Sequence, residues 1–169
     1  MRRIISALLI FFCLLLMNAC SQSTSADAYE NLEDAVKFGL QSEGAHPSDV
    51  MAVEEFQDET IIFYEFDGTL GVASISKTEN GYRWFRGGPY LAFENNDSDS
   101  YSAAGFFYET EQGLEVPIMY GQIRDNGISK ILLADKGIEK ELQISGDSLF
   151  YFAIHEAPFS SLEITPVRE

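Results

Sequence analysis

Basic residues, histidine and cysteine are all scarce in this chain of 169 residues, and each shortage disfavours a class of function. Lys and Arg number 11 against 27 Asp and Glu, a formal net charge of −16. A field of that sign repels phosphate backbones, so nucleic acid is disfavoured as a partner. The cysteines are Cys13 and Cys20, too few for a disulfide framework or a cysteine zinc site. Stability must therefore come from packing. His46 and His155 stand apart, without the spacing of metal ligands, and no serine sits in a Gly-x-Ser-x-Gly elbow. Paired carboxylates such as Glu54-Glu55 and Asp58-Glu59 are too common in so acidic a chain to mark a general acid and base. These absences leave no catalytic, cofactor-binding or metal-binding residue to name. The apolar run Ile4 to Met17 falls short of the ~20 residues that cross hydrocarbon, which favours a cleaved leader over a permanent span.

What is there begins with an export signal: basic Arg2 and Arg3, that apolar run, then small Ala19 before Cys20. The stretch Leu16-Met17-Asn18-Ala19-Cys20-Ser21 resembles the lipobox of bacterial lipoproteins, with Met17 where Leu is usual and Asn18 where Ala or Ser is usual. The resemblance implies a diacylglyceryl thioether on Cys20 and cleavage before it. Two acyl chains, at ~0.8 kcal/mol per buried methylene, hold a protein stably where one does not. The expected organisation is residues 1–19 as signal peptide, 20–26 as lipidated tether and 27–169 as a single domain. Release at another cleavage site, or an uncleaved helical anchor, are the alternatives. Cleavage removes Arg2 and Arg3 and no acid, moving the net charge from −16 to −18. The tether Ser21 to Ala26, at most ~3.5 Å per residue, reaches roughly 20 Å.

Asp27 and Glu30 have the spacing of a capping box, and Tyr29, Leu32, Val36 and Leu40 recur at helical period, with Glu33 and Lys37 one turn apart. This predicts a helix from about Ala28 to Gln41, ended by Gly44 and Pro47. From Val50 the period becomes that of strands. Ten are expected: 50–56, 60–66, 69–76, 82–86, 103–109, 116–123, 128–134, 138–144, 148–154 and 162–167. Asp67-Gly68, Asn80-Gly81, Asn126-Gly127, Gly146-Asp147 and Asp135-Lys136-Gly137 supply turn chemistry between them. Strands follow strands without intervening helices. The expected fold is mainly antiparallel β in the α+β class, one N-terminal helix packed on a β-sandwich or partly closed barrel. The polar run Glu94 to Ser100 parts two strand groups that would form the two sheets of one sandwich.

Two stretches are candidate sites. Asn95, Asp97 and Asp99 alternate like calcium ligands, but Ser100 and Phe106 stand where the helix-flanked calcium loop needs Gly and Glu, leaving an irregular cation site or a solvated loop. In Gly81 to Tyr90, Tyr82, Trp84 and Arg86 share one strand face and Arg83 and Phe85 the other. An exposed Trp84 beside arginines would stack on a sugar or peptide ring; the alternative is that Trp84 or Phe85 is core and the arginines answer acids such as Glu65 or Asp67. Aromatics at Phe63-Tyr64-Phe66, Phe106-Phe107-Tyr108 and Phe150-Tyr151-Phe152 read as core filling or, in part, an exposed patch.

With the lipobox, the short helix, Phe63-Tyr64-Glu65, Gly81-Tyr82-Arg83-Trp84, Pro117-Ile118-Met119-Tyr120-Gly121-Gln122-Ile123 and Phe150-Tyr151-Phe152, the chain is similar to small lipoproteins of Bacillus-type bacteria, a family without an assigned function. The resemblance implies a lipid anchor on the extracytoplasmic face of the cell membrane and carries no catalytic residues. Two functions stand open: a noncatalytic binding or regulatory β-domain whose partner is a protein, peptide or glycan, or a membrane-tethered hydrolase that brings a histidine to a serine and an acid. A calcium-responsive module is a third.

Overall fold

The computed structural model describes residues 28–93 and 99–168. Helix α1 spans Leu32–Glu43, later than the spacing of Tyr29 predicts. Asn31, not Asp27, is the cap: its backbone is extended and its side-chain oxygen accepts from the Asp34 N–H at 2.8 Å. The Asn31 amide donates to the Asp34 carboxylate, also at 2.8 Å. Asp27 lies outside the described residues, and Tyr29 is diverted into a pair of backbone hydrogen bonds with Tyr82. At the other end Gly44 adopts φ 81° and the Ala45 N–H reaches Leu40 O at 2.9 Å, a glycine stop. A 3₁₀ turn, Pro47–Asp49, then leads into the sheets.

Ten strands follow: β1 Val50–Phe56, β2 Glu59–Phe66, β3 Thr69–Thr78, β4 Gly81–Phe85, β5 Tyr101–Glu109, β6 Glu115–Ile123, β7 Ile128–Asp135, β8 Ile138–Leu142, β9 Phe150–Ile154 and, after a second 3₁₀ turn at Phe159–Ser161, β10 Glu163–Arg168. Every pairing is antiparallel. Asp67-Gly68 and Lys136-Gly137 turn with both φ angles positive, as the tightest hairpins require. Asn126-Gly127 works differently, through an Asx turn in which the Gly127 N–H donates to Asp125 Oδ1 at 2.9 Å.

The strands form three sheets instead of two: β1-β2-β3-β4, β5-β6-β9 and β10-β7-β8. The second strand group divides because β6 pairs with β9 and not with its neighbour in sequence, β7. No closed barrel forms among the described residues.

Period-two alternation explains the stacking. In β2, Ile62 and Tyr64 face α1 together with Ala73, Ile75 and Trp84, whereas Ile61 and Phe63 face the second sheet. There they meet Tyr108, Val116, Ile118, Phe150 and Phe152, with Phe63 and Phe152 stacked at 4.2 Å between centroids. Met119, Tyr151 and Ala153, on the second sheet's other face, pack against Ile128, Ile131, Leu133 and Leu142 of the third. The order of layers is helix, first sheet, second sheet, third sheet.

The helix sits unusually close to the first sheet. A Cβ built on Gly39 would lie 2.1 Å from Trp84 Cδ2, inside van der Waals contact. Alanine ordinarily favours a helix over glycine by about 1 kcal/mol. Here the sign reverses: Gly39→Ala is expected to destabilise by about 1–3 kcal/mol through overpacking, measured by chemical denaturation.

Candidate functional site

The aromatic and arginine stretch is built on β4, and the strand divides it as alternation requires. Trp84 is 7% exposed, turned onto Gly39 and tilted against Tyr64 at 6.0 Å. It is therefore core and not the ring of an exposed strip. Its indole Nε1 is buried without a hydrogen-bond partner. Arg86, just past the strand on the same side, donates from Nε to Glu43 Oε2 at 2.6 Å and from Nη1 to Gly88 O at 2.6 Å. Its guanidinium lies over the Tyr90 ring at 4.6 Å, and the Tyr90 hydroxyl also reaches Glu43, at 3.3 Å. Burial pulls the Arg86 pKa down, but the Glu43 hydrogen bond and charge outweigh it, and the guanidinium is held charged more firmly than usual. Burial, with Tyr90 and Glu43 beside it, pushes the Tyr64 hydroxyl far up, so it stays protonated.

On the opposite face Arg83 Nη2 meets Glu111 Oε1 at 2.6 Å, while its Nε is buried and unpartnered. The acids that answer the arginines are thus Glu43 and Glu111, not Glu65 or Asp67. Tyr82 is half-buried, bridged to Tyr29, with Lys77 Nζ 6.0 Å from its ring. Of the four residues Tyr82, Arg83, Trp84 and Arg86 only Trp84 is buried; the other three are partly exposed and divide between two faces.

The histidines serve local structure. His46 caps the first 3₁₀ turn: its Nδ1 accepts from the Ser48 N–H at 3.3 Å and lies 3.0 Å from Ser48 Oγ. Asp49 accepts from the His46 backbone N–H at 2.7 Å, so the carboxylate holds the main chain and does not orient the ring. The His155 Nδ1 lies 2.6 Å from Ala157 O and its ring packs edge-on to Phe159 at 4.7 Å. Burial lowers its pKa against the upward pull of the Ala157 carbonyl and Asp135. Its Nε2 is buried without a partner.

Cys20, Asn95 and Asp97 lie outside the described residues; Asp99 is within them. Among the described residues no group of three His, Cys, Asp or Glu is placed to hold a metal ion. An open cleft of about 630 Å³ lies where the 3₁₀ turn, the β2–β3 turn and the Ser145–Asp147 segment meet, lined by Asp49, Glu65, Asp67 and Asp147. Glu65 is already engaged there, accepting from Ser148 Oγ at 2.5 Å. The cleft attracts cations by field without chelating one. Only Glu65 and Asp67 are near in sequence; the four acids come from three segments that the fold brings together.

Comparison with known protein families, with curated proteins and with solved structures finds no match to this chain. No helix among the described residues is long and apolar enough to cross a membrane.

One buried carboxylate was hidden in an ordinary acidic pair. Glu59, at the start of β2, is 4% exposed, and its two oxygens share a single donor, Ser76 Oγ, at 2.8 Å each. Desolvation raises its pKa, offset in part by Ser76 and reinforced by Glu111. The folded protein thus keeps this proton to higher pH than the unfolded chain does. The stability it contributes is full at acid pH and is lost as pH rises from the unfolded carboxyl range through the folded value. Glu59→Gln is expected to melt above the parent at pH 7 and to converge with it at acid pH. Thermal melts across that range check it.

Proposed function

We propose that this chain is exported, held on the extracytoplasmic face of the cell membrane by two acyl chains on Cys20, and works through a β-domain that binds a partner without catalysis. The anchor rests on one observation, the apolar run Ile4 to Met17 ending in Leu16-Met17-Asn18-Ala19-Cys20. A run of that length suits a cleaved leader better than a span, and a thioether lipid there gives durable attachment. The three sheets are best understood as an extended sandwich that carries its binding surfaces on its rims.

Binding is favoured over chemistry by the charge pattern. Both arginines of the β4 stretch are already paired with carboxylates of this chain, and the open cleft presents four carboxylates from three segments. A surface of this sign attracts basic groups on a protein or peptide and repels anionic lipid, so the tether, not the domain, would keep the protein at the membrane.

The hydrolase reading has one observation in its favour, the 3.0 Å approach of His46 Nδ1 to Ser48 Oγ beside Asp49. Both residues are exposed on a short turn, and a nucleophile there lacks the dry, preorganised donors that stabilise an oxyanion. Capping accounts for every one of these contacts.

Mass spectrometry of protein from its native host is expected to find Cys20 as the first residue, carrying a diacylglyceryl group. An intact Met1, or an unmodified Cys20, overturns the anchor. A serine-directed fluorophosphonate is expected to leave Ser48 unlabelled; stoichiometric labelling at that residue would overturn the noncatalytic reading.

A further inference from the structure

Every open sheet leaves two edges, and an edge strand with unpaired N–H and C=O groups accepts another strand unless it is blunted. In this protein the edges can be compared one by one. At β1 the ladder is broken by a bulge between Val50 and Ala52, and Glu54 and Glu55 lie along it. At β4, Tyr29 covers Tyr82 with two backbone hydrogen bonds of 2.8 Å. Strand β8 carries exposed Glu139, Lys140 and Glu141, and β10 has Pro166 and a bulge between Val167 and Arg168. Strand β9 is short, and its first residue, Phe150, is bridged to Ser145.

Strand β5 has none of these devices. Its register with β6 runs unbroken from Tyr101↔Ile123 to Glu109↔Glu115. It contains no Lys, Arg or Pro, and its middle is Ser102-Ala103-Ala104-Gly105, small residues that leave the backbone accessible. Among the described residues no strand pairs with its outer edge. Among the described residues its far end is approached, where a Cβ at Gly87 would come within 3.0 Å of Glu109 O. The open length is Tyr101 to Tyr108.

The side chains beside that edge indicate what it accepts. Ala103, Gly105, Phe107 and Glu109 share one face and are exposed. Phe107 is 60% exposed, edge-on to Phe159, whose ring covers Gly105. Glu109 stands directly opposite Glu115 in the register, both exposed, and neither has a counter-cation among the described residues. Like charges opposite each other across a ladder destabilise it, and a cation placed beside them removes the cost. A second copy of the cleaved chain, with 9 basic against 27 acidic residues, would bring its own net charge of −18 to this edge. An extended basic segment meets the opposite condition.

We infer that β5 is a docking edge for an extended peptide that adds to the second sheet as a fourth strand. An apolar side chain lies beside Gly105 and Phe107, and a Lys or Arg two residues along reaches Glu109 and Glu115. Main-chain hydrogen bonds supply affinity, and the alternation supplies selectivity. The inference rests on the binding reading above and gives it a partner class.

The test uses the lipid-free chain from Ser21 onward and synthetic octapeptides alternating valine with lysine, each in forward and reversed order, with binding followed by calorimetry and amide NMR. Binding is expected, with the largest shifts in Tyr101 to Tyr108 and a fall in affinity as salt rises. Methylating alternate peptide nitrogens is expected to abolish binding in one phase of the alternation and spare it in the other, which side-chain stickiness alone would not do. Glu109→Lys and Phe107→Ala, both at exposed positions, are each expected to weaken binding tenfold or more, and Glu139→Gln on the exposed strand β8 to leave it unchanged. Binding that is kept in the β5 variants and lost with Asp147→Asn in the acidic cleft overturns this inference while preserving a binding domain. Absence of binding by every peptide, or a dimer in sedimentation that closes β5 on itself, overturns it outright.

Discussion

A strand covered on both faces has nowhere to place a solvated side chain, and β2, between the helix and the second sheet, is in that position from Glu59 to Tyr64. Ile61 and Phe63 look one way and Ile62 and Tyr64 the other, and all four are fully buried. The Phe63–Phe152 stack joins the two sheets at the middle of the molecule. From this constraint follow the continuous apolar run of β2, the depth of Glu59 at its start, and the need for a helix to cover the first sheet's other face. The Gly39–Trp84 contact is the consequence at that cover. Only a residue without a side chain lets the helix approach closely enough to bury an indole.

The same constraint sets how much of the fold could be read from the residues. Strand positions were legible almost throughout, since Gly and Asp turns bracket short branched and aromatic runs, and β1 matches its expected bounds, Val50–Phe56. Pairing was not legible. Which neighbour β6 takes depends on contacts with Phe150 to Ile154, far along the chain, and nothing local distinguishes β9 from β7. The helix start was misread for a related reason. Tyr29 keeps helical spacing with Leu32 and Val36, but its backbone is taken by Tyr82, a tertiary bond that propensity does not register.

The candidate site was legible in its parts and not in its assembly. Alternation separated Trp84 and Arg86 from Arg83 and Phe85 correctly. It did not indicate that Gly39 would draw Trp84 inward, or that Glu43, at the last position of α1, would meet Arg86 at 2.6 Å. In a chain with 27 acidic residues, composition cannot single out the two that answer these arginines. Glu59 was equally anonymous beside Asp58, although one lies at a hairpin tip and the other under Ser76.

Scarcity of basic residues also shapes what remains for a partner. Arg83, Arg86, Lys130 and Arg168 are each held by a carboxylate within 3 Å, so a considerable share of the positive charge is already neutralised. The acids left over, among them Glu109 and Glu115, have no internal counter-charge to accept. Repulsion among them opposes compaction, and screening by salt relieves it only at the surface. Packing of the three cores must hold the fold against this repulsion. A surplus of that kind lowers the affinity of the domain for its own copies and for anionic lipid, and raises it for basic groups. An unprotected edge is hazardous in a neutral protein because identical edges pair. In one so strongly acidic, charge supplies the protection that β5 lacks in sequence, and the edge can remain open to a segment of the opposite sign.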